Sequence, residues 1–89
     1  MEKTIPHDVA AENAILGAVM IDPSLYSLVS SLSPDDFYNE YNRFIFSVLP
    51  EYASSDDTGY VSLKNILEKK GFKDMQAIIN HVFKIMDMV

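Results

Sequence analysis

The groups in this chain that could do chemistry are few: the imidazoles His7 and His81, the carboxylate pairs Asp35-Asp36 and Asp56-Asp57, and the single arginine Arg43 among tyrosines and phenylalanines. Imidazoles ligate metals and move protons near neutral pH, and adjacent carboxylates can hold a cation or share acid–base work. The placement argues against both uses. His81 stands in a stretch of helical periodicity, where a hydrogen-bonded or half-exposed ring is the simpler reading. His7 sits beside Pro6, just ahead of a helix start, a position for local packing. Asp35-Asp36 falls where a helix start favours negative charge, and Asp56-Asp57 lies in a polar loop. There is no glycine loop with its phosphate-binding lysine, no Gly-x-Ser-x-Gly and no His-Glu-x-x-His. No catalytic, cofactor-binding or metal-ligating residue is therefore assigned. Contact chemistry remains. Tyr38, Tyr41 and Phe44 are core by default, yet with Phe37 they exceed what a small bundle needs, and the alternative is a groove for a partner helix. Arg43 either forms a surface ion pair with Glu40 or Asp36 or makes an interface contact, where arginine is enriched. Gly17, inside a helix, costs about 1 kcal/mol relative to alanine, and marks either a close backbone approach or a neutral choice. Gly17, Tyr38, Tyr41, Arg43 and Phe44 are the candidate protein-interface residues.

The elements that must position them read as helices. From Val9 to Ile21 only Glu12, Asn13 and Gly17 are not hydrophobic. Such a segment belongs at the centre of a bundle. Asp8 is its N-cap, and Asp22-Pro23 closes it while opening the next helix. There Leu25, Leu28, Val29 and Leu32 recur at i, i+3, i+4 and i+7, the spacing of a core-facing stripe. Ser33-Pro34 ends that helix and caps a new turn. A third helix starts near Asn39 and carries Tyr41, Phe44, Ile45, Val48 and Tyr52; Pro50 predicts a kink, or an end at Leu49. Ser54 to Gly59 is a polar loop. Ser62 is read as the cap of a fourth helix bearing Leu63, Ile66 and Leu67, stopped by a left-handed Gly71. Asp74 caps a last helix with Met75, Ile78, Ile79, Val82, Phe83 and Met86 on one face.

The sum is an all-α compact bundle of about five helices, residues 8–89 forming a single helical domain behind an arm at residues 1–7. The expected core is Ile15, Leu16, Val19, Leu25, Leu28, Val29, Leu32, Phe37, Ile45, Val48, Leu63, Ile66, Leu67, Ile78, Ile79 and Val82. A chain of 89 residues that is 48% hydrophobic is too apolar for disorder, yet so small a domain gains stability from a partner. Thirteen acids against seven bases leave a net charge of −6 and no basic cluster, which disfavours binding to nucleic acid or to anionic membranes. Cysteine is absent, the first residues lack the pattern of a secretory signal, and no apolar run approaches the ~20 residues of a bilayer span. A soluble, cytoplasmic protein is expected.

An ordered series of motifs adds to this reading: Ile5-Pro6-His7-Asp8, Ala11-Glu12, Leu16-Gly17-Ala18, Asp22-Pro23, Leu32-Ser33-Pro34-Asp35-Asp36-Phe37-Tyr38 and Arg43-Phe44-Ile45-Phe46. Over about residues 5–71 the chain resembles the N-terminal domain of the bacterial replicative DNA helicase, the DnaB family. It departs at Pro50, at Tyr60-Val61-Ser62 and at Lys73-Asp74, as a divergent or truncated member would. The resemblance implies the small helical domain of the helicase collar, which pairs with its neighbours and receives the helicase-binding domain of primase, with a helicase loader as a further partner. No Walker motif follows, so no motor domain is present, and ATP and magnesium would enter only through that absent domain. The implied function is non-catalytic: oligomerisation of the collar and docking of primase during DNA replication. The alternative is a free-standing regulator, from a phage or mobile element, that mimics this domain and binds helicase or primase.

Overall fold

The computed structural model describes residues 9–56 and 59–87, which form five α-helices and two short 3-10 turns: α1 (Val9–Ile21), a 3-10 turn (Pro23–Leu25), α2 (Tyr26–Val29), a second 3-10 turn (Pro34–Asp36), α3 (Glu40–Ala53), α4 (Tyr60–Lys70) and α5 (Met75–Asp87). No strand occurs among the described residues, and the fold is all-α. The arm assigned to residues 1–7, and the cap assigned to Asp8, lie outside the described residues. α3 packs against α1 and α4, and α1 also against α5.

Most caps follow the sequence. Asp22 Oδ1 accepts from the Ser24 amide at 3.2 Å, with Pro23 in the first position of the turn. Asn39 Oδ1 accepts from the Asn42 amide at 3.1 Å to open α3, and Asp74 Oδ1 accepts from the Ala77 amide at 3.1 Å to open α5. Gly71 adopts the left-handed conformation (φ 76°) and donates its N–H to the Leu67 carbonyl at 3.0 Å.

Three expectations need correction. α3 does not end at Leu49 but runs through Pro50 to Ala53. An internal proline costs ~3 kcal/mol. Beyond it, however, Tyr52 is fully buried, donates its hydroxyl to the Met20 carbonyl at 2.7 Å and accepts the Gly59 N–H at 2.9 Å. Burying that ring at ~1.5–3 kcal/mol, with about 1 kcal/mol for each hydrogen bond, outweighs the proline. The second hydrogen bond also explains the start of α4. Tyr52 holds the chain at Gly59, whose φ of 131° suits glycine, so the helix begins at Tyr60 and Ser62 lies inside it. Third, the apolar stripe of residues 25–32 does not lie on one continuous helix. Three residues of 3-10 winding precede a single α-turn, which rotates the stripe. Leu25, Tyr26, Val29 and Leu32 pack at the edge of the core, while Leu28 is 77% exposed.

The core gathers Leu16, Val19 and Met20 of α1, Phe37, and then Ile45, Phe46, Val48, Leu49 and Tyr52 of α3. Leu63, Ile66 and Leu67 of α4 and Ile78, Val82 and Ile85 of α5 complete it. Ile15 and Ile79 pack partly buried at its margin. α1 turns its polar side to the core. Its polar residues face inward, with Glu12 (0% exposed), Asn13 and Gly17 buried, while Ala14 and Ile21 face out.

Candidate protein-docking face

An unpartnered carboxylate inside a core is prohibitively costly, so the environment of Glu12 must supply donors. It does so from the start of α3. Glu12 Oε2 accepts the Tyr38 N–H at 2.6 Å, and Oε1 accepts the Asn39 N–H at 3.2 Å and the Asn42 Nδ2 amide at 3.0 Å. A carboxylate here also faces the positive end of the α3 dipole. The second Asn42 Nδ2 hydrogen goes to Asn13 Oδ1 at 3.0 Å. Both amide hydrogens of Asn42 are thus donated to acceptors on α1, and its Oδ1, 2.7 Å from His81 Nε2, can only accept. His81 is therefore the donor in that contact and carries its proton on Nε2. Burial lowers the basicity of the ring, and the nearby Lys84 ammonium lowers it further. One buried network ties α1, α3 and α5 together, and no buried side-chain nitrogen or oxygen among the described residues lacks a partner.

The network fixes the backbone that turns from Phe37 into α3. On its inner side Phe37 is buried and stacks on Phe46, with ring centroids 4.7 Å apart. On its outer side Tyr38 is 62% exposed. The Arg43 Nη2 donates to the Tyr38 carbonyl at 3.4 Å, and Glu40 pairs with Lys73 at 2.8 Å. Beside them a shallow groove of about 350 Å³ is lined by Pro34, Asp35, Glu40, Arg43, Phe44, Ser47 and Phe72. Its floor is aromatic, because Phe72, just past the Gly71 stop, lies 4.8 Å from the Phe44 ring and 5.6 Å from Tyr41.

The structure thus brings Arg43 and Phe44 together in the groove, with Tyr38 exposed on the clamped turn that leads into α3. Tyr41 stands half-buried between Phe72 and His81, supporting the floor. Gly17 is buried and is not among the groove's lining residues. The carboxylate pairs do not converge: Asp36 accepts the Ser33 N–H at 2.8 Å, Asp35 lines the groove and Asp56 is exposed. Among the described residues no three His, Asp or Glu side chains cluster as a metal site would require. Also among them, no helix is long and apolar enough to cross a membrane. His7 and Asp57 lie outside the described residues. Sequence reasoning missed the Glu12–Asn42–His81 network. The signal was present in Glu12 and Asn13, an adjacent polar pair inside an otherwise apolar helix, which only buried donors and acceptors can justify.

Residues 4–89 match the family model described as the DnaB-like helicase N terminal domain. The chain is 34% identical over 74 residues to the replicative DNA helicase DnaB of Buchnera aphidicola, covering 78% of this chain and 16% of that protein. It is 40% identical over 45 residues to the replicative DNA helicase DnaC of Bacillus subtilis, covering 49% of this chain and 10% of that one. The chain thus spans a small part of the length of these relatives. No solved structure matches it.

Proposed function

The chain belongs to the DnaB-like helicase N-terminal domain family, and from that premise we propose that it is a non-catalytic assembly module of a replicative helicase, acting by self-association and by docking primase. The observation that carries the docking half is the turn into α3. A buried carboxylate grips two successive backbone amides there and holds Tyr38 outward, next to a groove that carries Arg43 over an aromatic floor. Exposed aromatic residues and arginine on a pre-organised backbone are the composition of interface hot spots, because little side-chain or backbone freedom remains to be lost on binding.

Calorimetric titration of the chain with the helicase-binding C-terminal domain of a primase tests this reading. Saturable binding is expected, with Tyr38→Ala and Arg43→Ala each weakening it by roughly tenfold or more, the loss associated with hot-spot truncation. Both side chains project from the surface, so circular dichroism should show unchanged folding. Affinity unaltered by both substitutions would overturn the assignment of this face. Tight DNA binding at physiological salt would overturn the protein-docking reading as a whole, since a chain of net charge −6 lacks the counterion-release term.

A further inference from the structure

One carboxylate of the groove beside the α3 turn already holds a cation of the chain itself. Phe72, just past the Gly71 stop, supplies part of the groove floor, and the next residue, Lys73, brings its ammonium to Glu40 Oε2 at 2.8 Å. Both side chains stay largely in water, Lys73 71% and Glu40 54% exposed. A pair of this kind adds little to stability, because water screens it and the long lysine stem must be held still. Glu40 does not depend on it either: as the first residue of α3, its charge faces the positive end of the helix dipole. The hydrogen bond to Glu40, and then the charge of that carboxylate, raise the basicity of Lys73, so its ammonium is charged at neutral pH. Lys73 also stands at one of the places where the sequence departs from the DnaB pattern.

We propose that Lys73 is an internal stand-in for a cation of the partner protein: on docking, a guanidinium of the partner takes over Glu40, and Lys73 moves off into solvent. The proposal rests on the reading that this groove docks primase, and it names what the groove recognises and what competes for it. Charge and shape select arginine. The ionisable residues lining the groove are Asp35, Glu40 and Arg43, so carboxylates outnumber cations there once Lys73 has left. Arg43 is turned to the Tyr38 carbonyl, which leaves Glu40 to the newcomer. The same groove is floored by the Phe44 and Phe72 rings, with centroids 4.8 Å apart. A planar guanidinium lies well on an aromatic face and donates two parallel hydrogen bonds to a carboxylate, whereas Lys73 offers a point charge on a flexible stem. The exchange thus replaces a water-screened pair by a forked one shielded within the interface. A chain of net charge −6 also draws basic surfaces towards it.

Calorimetric titration with the C-terminal domain of a primase tests the exchange. Lys73→Ala removes the competitor and should strengthen binding about two- to fivefold, the factor that corresponds to an exposed ion pair. Lys64→Ala makes the same change in net charge on α4, where Lys64 lies 4.0 Å from Glu68, and should leave the affinity unchanged. Glu40→Gln should weaken binding roughly tenfold, and on that background Lys73→Ala should have no further effect. One Arg→Lys substitution in the primase domain should weaken binding to the wild-type chain but not to Glu40→Gln. Circular dichroism should be unchanged throughout, because Lys64, Lys73 and Glu40 are exposed. If Lys73→Ala leaves the affinity unchanged or lowers it, if Lys64→Ala raises it equally, or if no arginine of the primase domain shows that dependence on Glu40, the proposal is overturned; the docking reading then stands wherever Tyr38→Ala and Arg43→Ala weaken binding. If the primase domain does not bind, or binds without regard to Tyr38 and Arg43, both fail.

Discussion

Glu12 shows how much of a fold one buried side chain can organise. Its two carboxylate oxygens accept three N–H donors, two from the turn into α3 and one from Asn42 in its first turn. Glu12→Gln keeps the shape but replaces one acceptor oxygen with an NH2, which faces a donor. Urea unfolding should show a loss of about 1–3 kcal/mol, the cost of a buried donor without a partner. An unchanged midpoint would show that the carboxylate is not needed as an acceptor. His81, at the far end of the network, makes stability depend on pH. Its ring is less basic in the folded chain than in the unfolded one, since burial and Lys84 both oppose a positive charge, while the Glu12 carboxylate lies beyond the intervening Asn42. The unfolded chain therefore takes up the proton first. The contribution of the neutral ring is present above the ordinary histidine range and is lost as pH falls through and below it. Between pH 7 and 5, His81→Gln, which retains an N–H donor, should lose less stability than the wild-type chain; an equal or steeper loss would contradict the assignment. Neither role was legible from the residues alone. Nothing local in the sequence says that positions 12, 42 and 81 meet, because they lie on three different helices.

At the scale of elements, the sequence marked where helices start and stop far better than which way they face. Asp22, Asn39, Asp74 and Gly71 act through their own neighbours in the chain, and each behaves as its residue type dictates. Errors arose where a distant partner decided the outcome. Pro50 predicts a kink or an end at Leu49, and the end does not occur there, because Tyr52, anchored to Met20 and Gly59, carries α3 past it. Ser62 is a good capping residue in the wrong place, because the same tyrosine holds Gly59 and starts α4 earlier. Tyr52→Phe separates the hydrogen bonds from the packing. It strands the Met20 carbonyl and the Gly59 N–H, and thermal or urea unfolding should reveal a cost of about 1–3 kcal/mol with helix content retained. A neutral substitution would mean that packing alone carries the helix through Pro50. The apolar face of α1 was legible as well, but not its direction. A helix hydrophobic on nearly every side was read as the centre of the bundle. It proves to bury its polar pair and to leave Ala14 and Ile21 outside.

For the whole molecule, the class was legible because it follows from composition and periodicity: a small, acidic, cysteine-free all-α domain without an enzyme motif. The family was legible because its motifs occur in order along the chain, and the match over residues 4–89 shows it. Surfaces were only partly legible. Tyr38, Arg43 and Phe44 stood out by type and spacing, whereas Leu28 reaches the surface only because the short 3-10 turn rotates it outward. On this account the domain works by shape, and the network at Glu12 holds the turn into α3 beside which the proposed docking groove lies. Sedimentation of the folded 10.1 kDa chain, alone and with the helicase-binding domain of a primase, tests this most directly. The account predicts a concentration-dependent species heavier than the monomer, and a further increase in mass when the primase domain is added. A folded chain that remains a 10.1 kDa monomer at every concentration and ignores the primase domain would contradict it.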